Sequence, residues 1–460
     1  MFRSFRRIFS KLNLTRNSSC HVGDPCDPST QVTILANGIR VATEYRPEPL
    51  ACVALVVEAG SRFETACNNG ITHFIEHMAY KGFVSMERSL LEESLLMMGV
   101  KMSADTQREI QTFTSLGLAE FAPNVVDVLA RIITDLDLND CAIEHEKHNM
   151  CLEMVDTDSD PRAVTFDYLH QTAFQGTPLA QRVIGPSKNV SKFDKSFATK
   201  FLSQHYQPYK LCVASSGMLN HDEMVKWTEA RLGHLVGEAA CQSDDGPCRF
   251  TGSQIIYRDD SMPFAHVAIA FEAPGYASPE YMSLLIASCM VGQWDRSCGG
   301  GYANGLPLAR AAACADLCES FESFYLAYRD IGLWGIYFVA DGLQVEDMLL
   351  NVQEEWMKLC SMTQSTDLER GVAMARLALA RKVEGAARSC RDIGTELLYT
   401  CTRRSLADRW DALARIKVHA VRETCERLLY DRCPAVAAVG PTECLSDYTR
   451  IRAGQYWLRF

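Results

Sequence analysis

Hydrophobic and polar residues alternate along QVTILANGIRVATEY (31–45), on both sides of an Asn37-Gly38 pair. A period of two is typical of a half-buried strand, and Asn-Gly is a preferred hairpin turn, so the segment predicts a β-hairpin. CVALVVEAG (52–60) and KLCVASSGML (210–219) are almost continuously apolar, which predicts buried strands. Between these strands, apolar residues recur every three or four positions, the period of an amphipathic helix. This second pattern predicts long helices over about residues 70–81, 87–98, 119–135, 140–155 and 160–173.

The pattern restarts after the polar segment GEAACQSDDGPCRFTGSQ (237–254), which is the best candidate for a linker. HVAIAFEAPG (266–275) resembles CVALVVEAG (52–60), and CPAVAAVGP (433–441) resembles the strand that closes the first half. The repeat favours two copies of one α+β unit.

Length and composition agree with this organisation. The chain has 460 residues, of which 47% are hydrophobic and 22% charged, as expected for a globular protein of more than one domain. We therefore expect an α+β fold with two homologous domains, over 31–240 and 255–460, each a mostly antiparallel sheet covered by helices. No apolar run approaches the roughly 18 residues that a membrane-spanning helix needs.

The first twenty residues, MFRSFRRIFSKLNLTRNSSC, differ from the rest because they contain five basic residues and no acidic one. Their apolar residues fall on one helical face: Phe2, Phe5, Ile8, Phe9 and Leu12. This combination is typical of a mitochondrial transit peptide, which we expect within residues 1–30. A basic amphipathic arm that stays attached is the alternative.

Charge and cysteine content limit the kinds of partner and of site that the chain is expected to have. The net charge of −11 disfavours a nucleic-acid partner and is compatible with a basic one. The 19 cysteines are odd in number, scattered and without a C-x-x-C pair, which indicates reduced thiols in the core rather than disulfides or a cysteine-bound zinc.

Candidate chemistry centres on HFIEH (73–77). On a helix, His73 and His77 lie one turn apart on the same face, with Glu76 beside them. Zinc accepts imidazole and carboxylate ligands, and a hydrolytic site keeps three protein ligands and one open position. H-x-x-E-H is a zinc-peptidase motif, although two core histidines with hydrogen-bonded rings remain an alternative.

A third ligand has to come from elsewhere in the chain. In AIEHEKHNMCLEMVD (142–156), Glu146 and Glu153 lie seven residues apart, on one face of a predicted helix. His145 and His148 of the same helix could form a separate H-x-x-H site or could simply belong to a solvated face.

Several longer segments resemble, in order and spacing, the mitochondrial processing peptidase family of inverted-zincin (M16) peptidases, which also includes core protein 1 of the cytochrome bc1 complex. The resemblance covers nearly everything after residue 31. The segments are NNGITHFIEHMAYKG, IEHEKHNMCLEM, FDYLHQTAF, GPSKNVSKF, SFESFYLAYRDIGLWGIYF and RCPAVAAVGPTECLSDYTRIRAGQYWLRF.

The resemblance implies one Zn²⁺ per chain, with His73, His77 and Glu153 as its ligands. It makes Glu76 the general base that activates the attacking water and Glu146 an outer-shell support. A tyrosine of the second half assists in the family, and both Tyr328 and Tyr337 are available here.

Substrate positions depart from the family. Asp167 corresponds to one of the two acidic residues that hold a substrate arginine in the family. The position of the other acidic residue, one turn earlier, is occupied by Ala163. The acidic run DTDSD (156–160) either compensates or is a solvated loop. Ser103 is expected to contact the substrate backbone, although Asp105 replaces the usual tyrosine.

The implied function is that of a zinc metalloendopeptidase subunit in the mitochondrial matrix, which removes N-terminal presequences from imported proteins. The implied partners are a homologous alpha subunit with a glycine-rich loop and basic presequence peptides. The alternative is core protein 1 of the cytochrome bc1 complex, structural or bifunctional, on the matrix side of the inner membrane. The complete zinc motif favours the enzyme, and the altered substrate positions favour the alternative.

Overall fold

The computed structural model describes residues 29–237 and 248–457, here called the first and second halves. The proposed transit peptide and most of the proposed linker lie outside the described residues, so both stay predictions, as do the domain limits at 240 and 255. Each half contains a six-stranded sheet with helices on its faces.

The first half contains six strands and eight α-helices. Its strands are β1 (Thr30–Ile34), β2 (Arg40–Tyr45), β3 (Leu50–Val57), β4 (Lys101–Thr106), β5 (Gln111–Leu118) and β6 (Leu211–Gly217). Its helices are α1 (Ile71–Met78), α2 (Arg88–Met98), α3 (Ala122–Thr134), α4 (Asp140–Ser159), α5 (Pro161–Ala173), α6 (Ser187–Val190), α7 (Lys195–His205) and α8 (His221–Leu232). The five long helices predicted from periodicity correspond to α1 to α5.

The described part of the second half also contains six strands and eight α-helices. Its strands are β7 (Gln254–Arg258), β8 (Ala265–Pro274), β9 (Gln293–Asp295), β10 (Ser320–Ala327), β11 (Ile331–Ala340) and β12 (Ala435–Gly440). Its helices are α9 (Tyr281–Val291), α10 (Pro307–Ala315), α11 (Val345–Ser361), α12 (Ser365–Lys382), α13 (Ala386–Thr400), α14 (Leu406–Ala414), α15 (Val418–Leu429) and α16 (Tyr448–Trp457).

The two sheets share one topology over five strands, and each has one further strand, β1 or β9, at opposite edges. Their strand orders are β1-β2-β6-β3-β5-β4 and β7-β12-β8-β11-β10-β9. In the first sheet these five strands are β2-β6-β3-β5-β4, and in the second they are β7-β12-β8-β11-β10. The first pair of each set is parallel, and the three following pairs are antiparallel. This equivalence confirms the predicted α+β fold with a repeated, mostly antiparallel unit. The predicted hairpin is also present, because β1 pairs antiparallel with β2.

The halves exchange one helix each. Helix α13 of the second half covers one face of the first sheet, where Cys390, Ile393 and Leu397 pack against Cys52 and Ala54. Helix α5 of the first half covers one face of the second sheet in the same way. Its contribution to that core includes Leu169 and Ala173, which pack with Ala268, Leu333 and Ala437. Each half therefore completes the core of the other.

Charged residues reinforce this contact between the halves. Arg62 of the first half makes a bidentate pair with Asp330 of the second half, at 2.6 and 2.8 Å. Glu109 also bonds to Arg62, and its Oε2 accepts hydrogen bonds from the Tyr399 hydroxyl at 2.6 Å and the Arg329 backbone N–H at 3.0 Å. The loop between β4 and β5 is thereby fixed to the second half.

Two further expectations concern the described residues. All 16 cysteines among them are free thiols, but only seven are buried and seven are exposed, so the prediction that they serve as core residues holds for some of them only. None of the helices within 29–237 and 248–457 is both long enough and apolar enough to cross a membrane.

Candidate metal centre

The start of helix α1 is held by a buried carboxylate that replaces a local cap. Gly70 precedes the helix in a left-handed conformation, with φ of 100°, and a Cβ there would lie 2.8 Å from the Ile184 carbonyl oxygen. Glu64 accepts hydrogen bonds from the backbone N–H groups of Gly70 and Thr72, both at 2.8 Å. Two of the N–H groups that a helix start leaves unpaired are thus satisfied. The position of the HFIEH helix is fixed from its first turn.

One face of α1 packs into the core, and the opposite face carries the motif. Phe74, Ile75 and Met78 have no exposed surface. The His73 and His77 side chains are 10% and 17% exposed, so both rings reach the border between core and solvent. Because the apolar anchors are fully buried, the imidazole rings are held by the helix and not by a mobile loop.

Three side chains converge beside this helix. Glu153 of α4 places Oε2 3.2 Å from His73 Nε2 and 2.9 Å from His77 Nε2, and the two Nε2 atoms lie 3.2 Å apart. Ligand atoms about 2.0–2.1 Å from a tetrahedral zinc ion are separated by about 3.3–3.4 Å. The three atoms therefore have nearly the spacing of three zinc ligands. No other group of three histidine, cysteine or acidic side chains within the described residues lies close enough to hold a metal.

The outer ring nitrogens face carboxylates. His73 Nδ1 lies 3.4 Å from Glu76 Oε2, and His77 Nδ1 lies 3.4 Å from Glu146 Oε2. A carboxylate at Nδ1 favours the tautomer in which Nε2 carries the lone pair, as metal binding requires. Both rings therefore point lone pairs at the centre of the cluster.

The electrostatics of the cluster favour positive charge at that centre. Burial by itself lowers the pKa of His73. Hydrogen bonds and charge interactions with Glu153 and Glu76 have a larger, opposite effect and raise it to about 9. The hydrogen bonds with His73 and His77 hold the pKa of Glu153 well below its usual range. In the metal-free protein the raised pKa of His73 favours a proton in place of a ring lone pair, and a divalent cation would satisfy the same groups. The donor set therefore fits zinc.

Glu146 lies where an outer-shell residue would lie. Its side chain is 2% exposed and contacts Lys81 Nζ at 3.0 Å and Asn149 Nδ2 at 3.1 Å, besides His77. Burial raises the pKa of Glu146, but the hydrogen bonds from Asn149 and Lys81 lower it, and the net direction is downward. His145 Nδ1 also contacts Glu146, at 3.1 Å, whereas His148 is not part of the described cluster.

Glu76 borders an open cleft of about 390 Å³ that is also lined by Tyr80, Arg88 and Ala104. Its side chain is 19% exposed, and its Oε2 accepts a hydrogen bond from the Thr106 hydroxyl. The carboxylate is held by the protein on one side and faces the cleft, which is the position required of a general base.

Asp167, which is predicted to bind a substrate arginine, pairs with two arginines of the chain itself, so its role toward substrate stays a prediction. Its Oδ1 lies 2.8 Å from Arg108 Nη2, and its Oδ2 lies 2.8 Å from Arg182 Nε. Burial raises the pKa of Asp167, but the two guanidinium groups lower it below its ordinary value. Both carboxylate oxygens are occupied by arginines of the chain itself, and the neighbouring Ala163 offers no replacement. Asp158 of the acidic run pairs with Arg182 as well, at 2.6 Å.

The other substrate positions lie on or near the edge strand β4. Ser103 is exposed on this strand, and its backbone carbonyl accepts a hydrogen bond from the Tyr80 hydroxyl at 3.3 Å. Asp105 lies 3.6 Å from Arg391 of the second half. A substrate contact by Ser103 stays a prediction.

The hydroxyls of both candidate tyrosines are engaged away from the cluster. Tyr328 bonds to His170 Nε2 at 2.6 Å, and Tyr337 bonds to His266 Nδ1 at 2.7 Å. The described structure therefore brings neither hydroxyl to the three-residue cluster.

Glu64, Thr106 and Gln111, whose amide donates a hydrogen bond to the Thr106 hydroxyl at 2.8 Å, are parts of this site that no sequence pattern indicated. Glu64 is an isolated acid in a turn, and the other two occupy ordinary strand positions. The only signal was that Glu64 comes shortly before a helix without a serine, threonine or aspartate cap.

Comparisons with known proteins agree with this fold. Residues 40–187 match the family described as Insulinase (Peptidase family M16), and residues 192–374 match Peptidase M16 inactive domain. Cytochrome b-c1 complex subunit 1, mitochondrial, of Homo sapiens is 41% identical over 435 residues, which cover 94% of this chain and 91% of the relative. Mitochondrial-processing peptidase subunit beta of Bos taurus is 37% identical over 435 residues, which cover 94% and 88%.

A solved structure titled "Complex III2 from Candida albicans, Inz-5 bound" contains a chain with the same fold. It superposes with a TM-score of 0.84 at 24% identity and covers 93% of this chain and 99% of its own. The family matches and the curated relatives, which are mitochondrial proteins, lead to one conclusion: the chain belongs to peptidase family M16.

Proposed function

We propose that this chain is a mitochondrial M16 subunit that acts as core subunit 1 of a cytochrome b-c1 complex and retains a zinc endopeptidase site. The observation that supports catalysis is the convergence of His73, His77 and Glu153 within 3.2 Å of one another, beside Glu76. A purely structural subunit has no need of three aligned ligand atoms and an open cleft. One Zn²⁺ per chain is the proposed cofactor.

The proposed reaction is hydrolysis of a peptide bond. Zinc, when bound, supplies Lewis-acid activation of water and of the scissile carbonyl. Glu76 accepts the proton of the attacking water and later delivers it to the leaving amine. Glu146 and Glu76 hold the two imidazole rings through their Nδ1 atoms, and Lys81 in turn holds Glu146. These contacts support a fixed orientation of the two imidazole rings and of the general base.

The proposed substrates are N-terminal presequences, which are basic peptides, and the proposed peptidase partner is a homologous alpha subunit with a glycine-rich loop. The net charge of −11 supports a basic substrate. The pairing of Asp167 with Arg108 and Arg182 argues against the usual arginine clamp. Presequence recognition would then depend on the overall charge and on the backbone along β4.

The role as a core subunit is supported by overall similarity. Identity with the human cytochrome b-c1 subunit, 41%, exceeds identity with the bovine processing peptidase subunit, 37%, over matched lengths of 435 residues. The sequence motifs favour the processing peptidase, whereas these identities give slightly better support to the core-subunit alternative. The proposed location is therefore the matrix side of the inner membrane, with cytochrome b-c1 subunits as partners.

Catalysis is tested with the chain purified together with its M16 partner. We expect Glu76→Gln to retain zinc and the partner but to slow cleavage of a presequence peptide by about 100-fold or more. Glu92→Gln is the matched control, because Glu92 lines the same cleft and its side chain is 53% exposed. Cleavage by Glu76→Gln at the wild-type rate would contradict the proposed mechanism.

The core-subunit role is tested by native electrophoresis of mitochondrial membranes. Comigration of the chain with cytochrome b supports this role. Migration only as a heterodimer free of cytochrome b contradicts it and favours a separate processing peptidase.

A further inference from the structure

A chain of three hydrogen bonds, buried at one end and partly buried at the other, ends at the Glu76 carboxylate. Tyr206 donates its hydroxyl proton to Gln111 Oε1. Gln111 Nε2 donates to Thr106 Oγ1 at 2.8 Å, and Thr106 donates to Glu76 Oε2. Gln111 has no exposed surface and Tyr206 is 4% exposed, so water does not compete for the Tyr206–Gln111 bond, whereas the two bonds of the Thr106 hydroxyl are partly buried. The chain connects β5 and the end of α7 to the motif helix.

The direction of donation along this chain is fixed by its neighbours. Gln111 Nε2 also donates to the Thr72 backbone carbonyl, at 2.9 Å, and a carbonyl oxygen can only accept. The amide nitrogen must therefore face Thr72 and Thr106, and the amide oxygen must face Tyr206. Because Thr106 Oγ1 accepts from this nitrogen, the single hydroxyl proton of Thr106 is left for Glu76. No reversed arrangement satisfies every atom.

We propose that Thr106 and Gln111 are positioning residues for the Glu76 general base, an inference that rests on the proposed function. Thr106 holds Oε2 through a donor that cannot rotate away, because Gln111 sets the direction of its proton. Glu76 Oε1 is then the oxygen that faces the attacking water. Preorganised donors of this kind keep a catalytic carboxylate in one orientation before the substrate binds.

Two hydrogen bonds of this chain have separate roles, one in the stability of the fold and one in the orientation of Glu76. Gln111 also joins β5 to the first turn of α1 through Thr72, and that contact does not involve Thr106. A stabilising role therefore resides in the Gln111–Thr72 bond, whereas the Thr106 hydroxyl acts on Glu76. Substitutions at Thr106 separate the two roles.

The test uses Thr106→Val, which keeps the shape of the side chain and removes its hydroxyl. We expect kcat to fall about 10- to 100-fold with KM and zinc content unchanged, and Thr106→Ser to recover most of the loss. Gln111→Glu should act in the same direction, because the introduced carboxylate would accept the Thr106 proton and turn it away from Glu76. Thr114→Val on the adjacent strand is the matched control, since the Thr114 hydroxyl is buried without a hydrogen-bond partner.

A second readout does not depend on activity. In crystals of the complex with its M16 partner, we expect the Glu76 carboxylate to occupy one orientation in the wild type and to rotate away in Thr106→Val. An unmoved carboxylate in Thr106→Val, or a loss of kcat no larger than that of Thr114→Val, would overturn the positioning role. If the wild-type complex cleaves no presequence, the proposed function fails, while the Glu76 orientation in these crystals still decides the role of Thr106.

Discussion

Glu153 Oε2 lies 2.9 Å from His77 Nε2, although the two residues are 76 positions apart in the chain. Helix α4 carries the carboxylate to helix α1, which carries both imidazole rings. The three candidate ligands therefore meet only when these two helices are docked. The proposed zinc binding would be coupled to the packing of the first half in this arrangement.

The first prediction concerns this third ligand. Glu153→Gln keeps the size of the side chain but replaces the charged oxygen with a neutral amide, so we expect zinc affinity to fall by more than about 100-fold. Zinc retained after dialysis against a chelator of known affinity measures the change. Equal zinc retention in Glu153→Gln and the wild type would show that Glu153 is not a ligand.

The second prediction concerns the outer shell. Glu146→Gln removes the charge that faces His77 Nδ1 and Lys81, and we expect a loss of about 10- to 100-fold in zinc affinity. Glu144→Gln on the same helix is the control, because the Glu144 side chain is 71% exposed and pairs with Lys147. Similar losses in the two variants would assign the effect to helix α4 as a whole.

The third prediction concerns Asp167. Asp167→Asn leaves Arg108 and Arg182 without their shared carboxylate, and we expect the free energy of unfolding to fall by about 3 kcal/mol. Preference for arginine over glutamine in peptide substrates should not change, because both oxygens are already paired. Thermal unfolding and competitive peptide cleavage measure the two effects. A large loss of arginine preference without a loss of stability would restore Asp167 as a substrate-binding residue.

The fourth prediction concerns acid sensitivity. Burial lowers the pKa of His170 to about 3, from an ordinary value of 6.5. The unfolded chain binds a proton below pH 6.5 and the folded one does not, so stability is full above pH 6.5 and declines as the pH falls toward 3. We expect His170→Gln, whose amide can replace both hydrogen bonds, to reduce this decline. Urea unfolding midpoints at pH 5 and 7 measure this loss of stability. An equal change in midpoint in the wild type and in His170→Gln would exclude His170 as the cause.

The fifth prediction concerns the metal-free protein. The pKa of His73 is raised to about 9, so its stabilising proton is fully present below about pH 6.5 and is lost as the pH rises through 9. We expect the Tm of the chelator-treated protein to fall between pH 7 and 9.5, and that of the zinc-loaded protein to fall much less. His73→Gln should remove this difference in Tm between the chelator-treated and the zinc-loaded protein, whereas His145→Gln, at an exposed position, should keep it.

Much of the fold and of the site could be predicted because the relevant signals are local. The hairpin around Asn37-Gly38 and the helix that carries His73 and His77 depend on short-range periodicity and turn chemistry. The role of Glu153 came from a resemblance in spacing, and the structure brings that residue to the two histidines.

What could not be predicted depends on contacts between distant parts of the chain. Asp167 is separated from Arg108 by 59 positions, and no local pattern indicates that their side chains meet. The hydrogen bond from Thr106 to Glu76 crosses from a strand to a helix in the same way. The exchange of α5 and α13 was also unexpected, because an amphipathic helix shows that it has an apolar face but not which sheet covers that face.

The exchange of helices sets an order on the maturation of the protein. One face of the first sheet stays uncovered until Ala386–Thr400 has been synthesised, so a nascent chain that lacks this segment exposes an apolar sheet surface to water. Synthesis must deliver nearly the whole polypeptide before the first half reaches its final form. Premature termination anywhere before residue 400 should leave an insoluble product and not a shortened, folded protein.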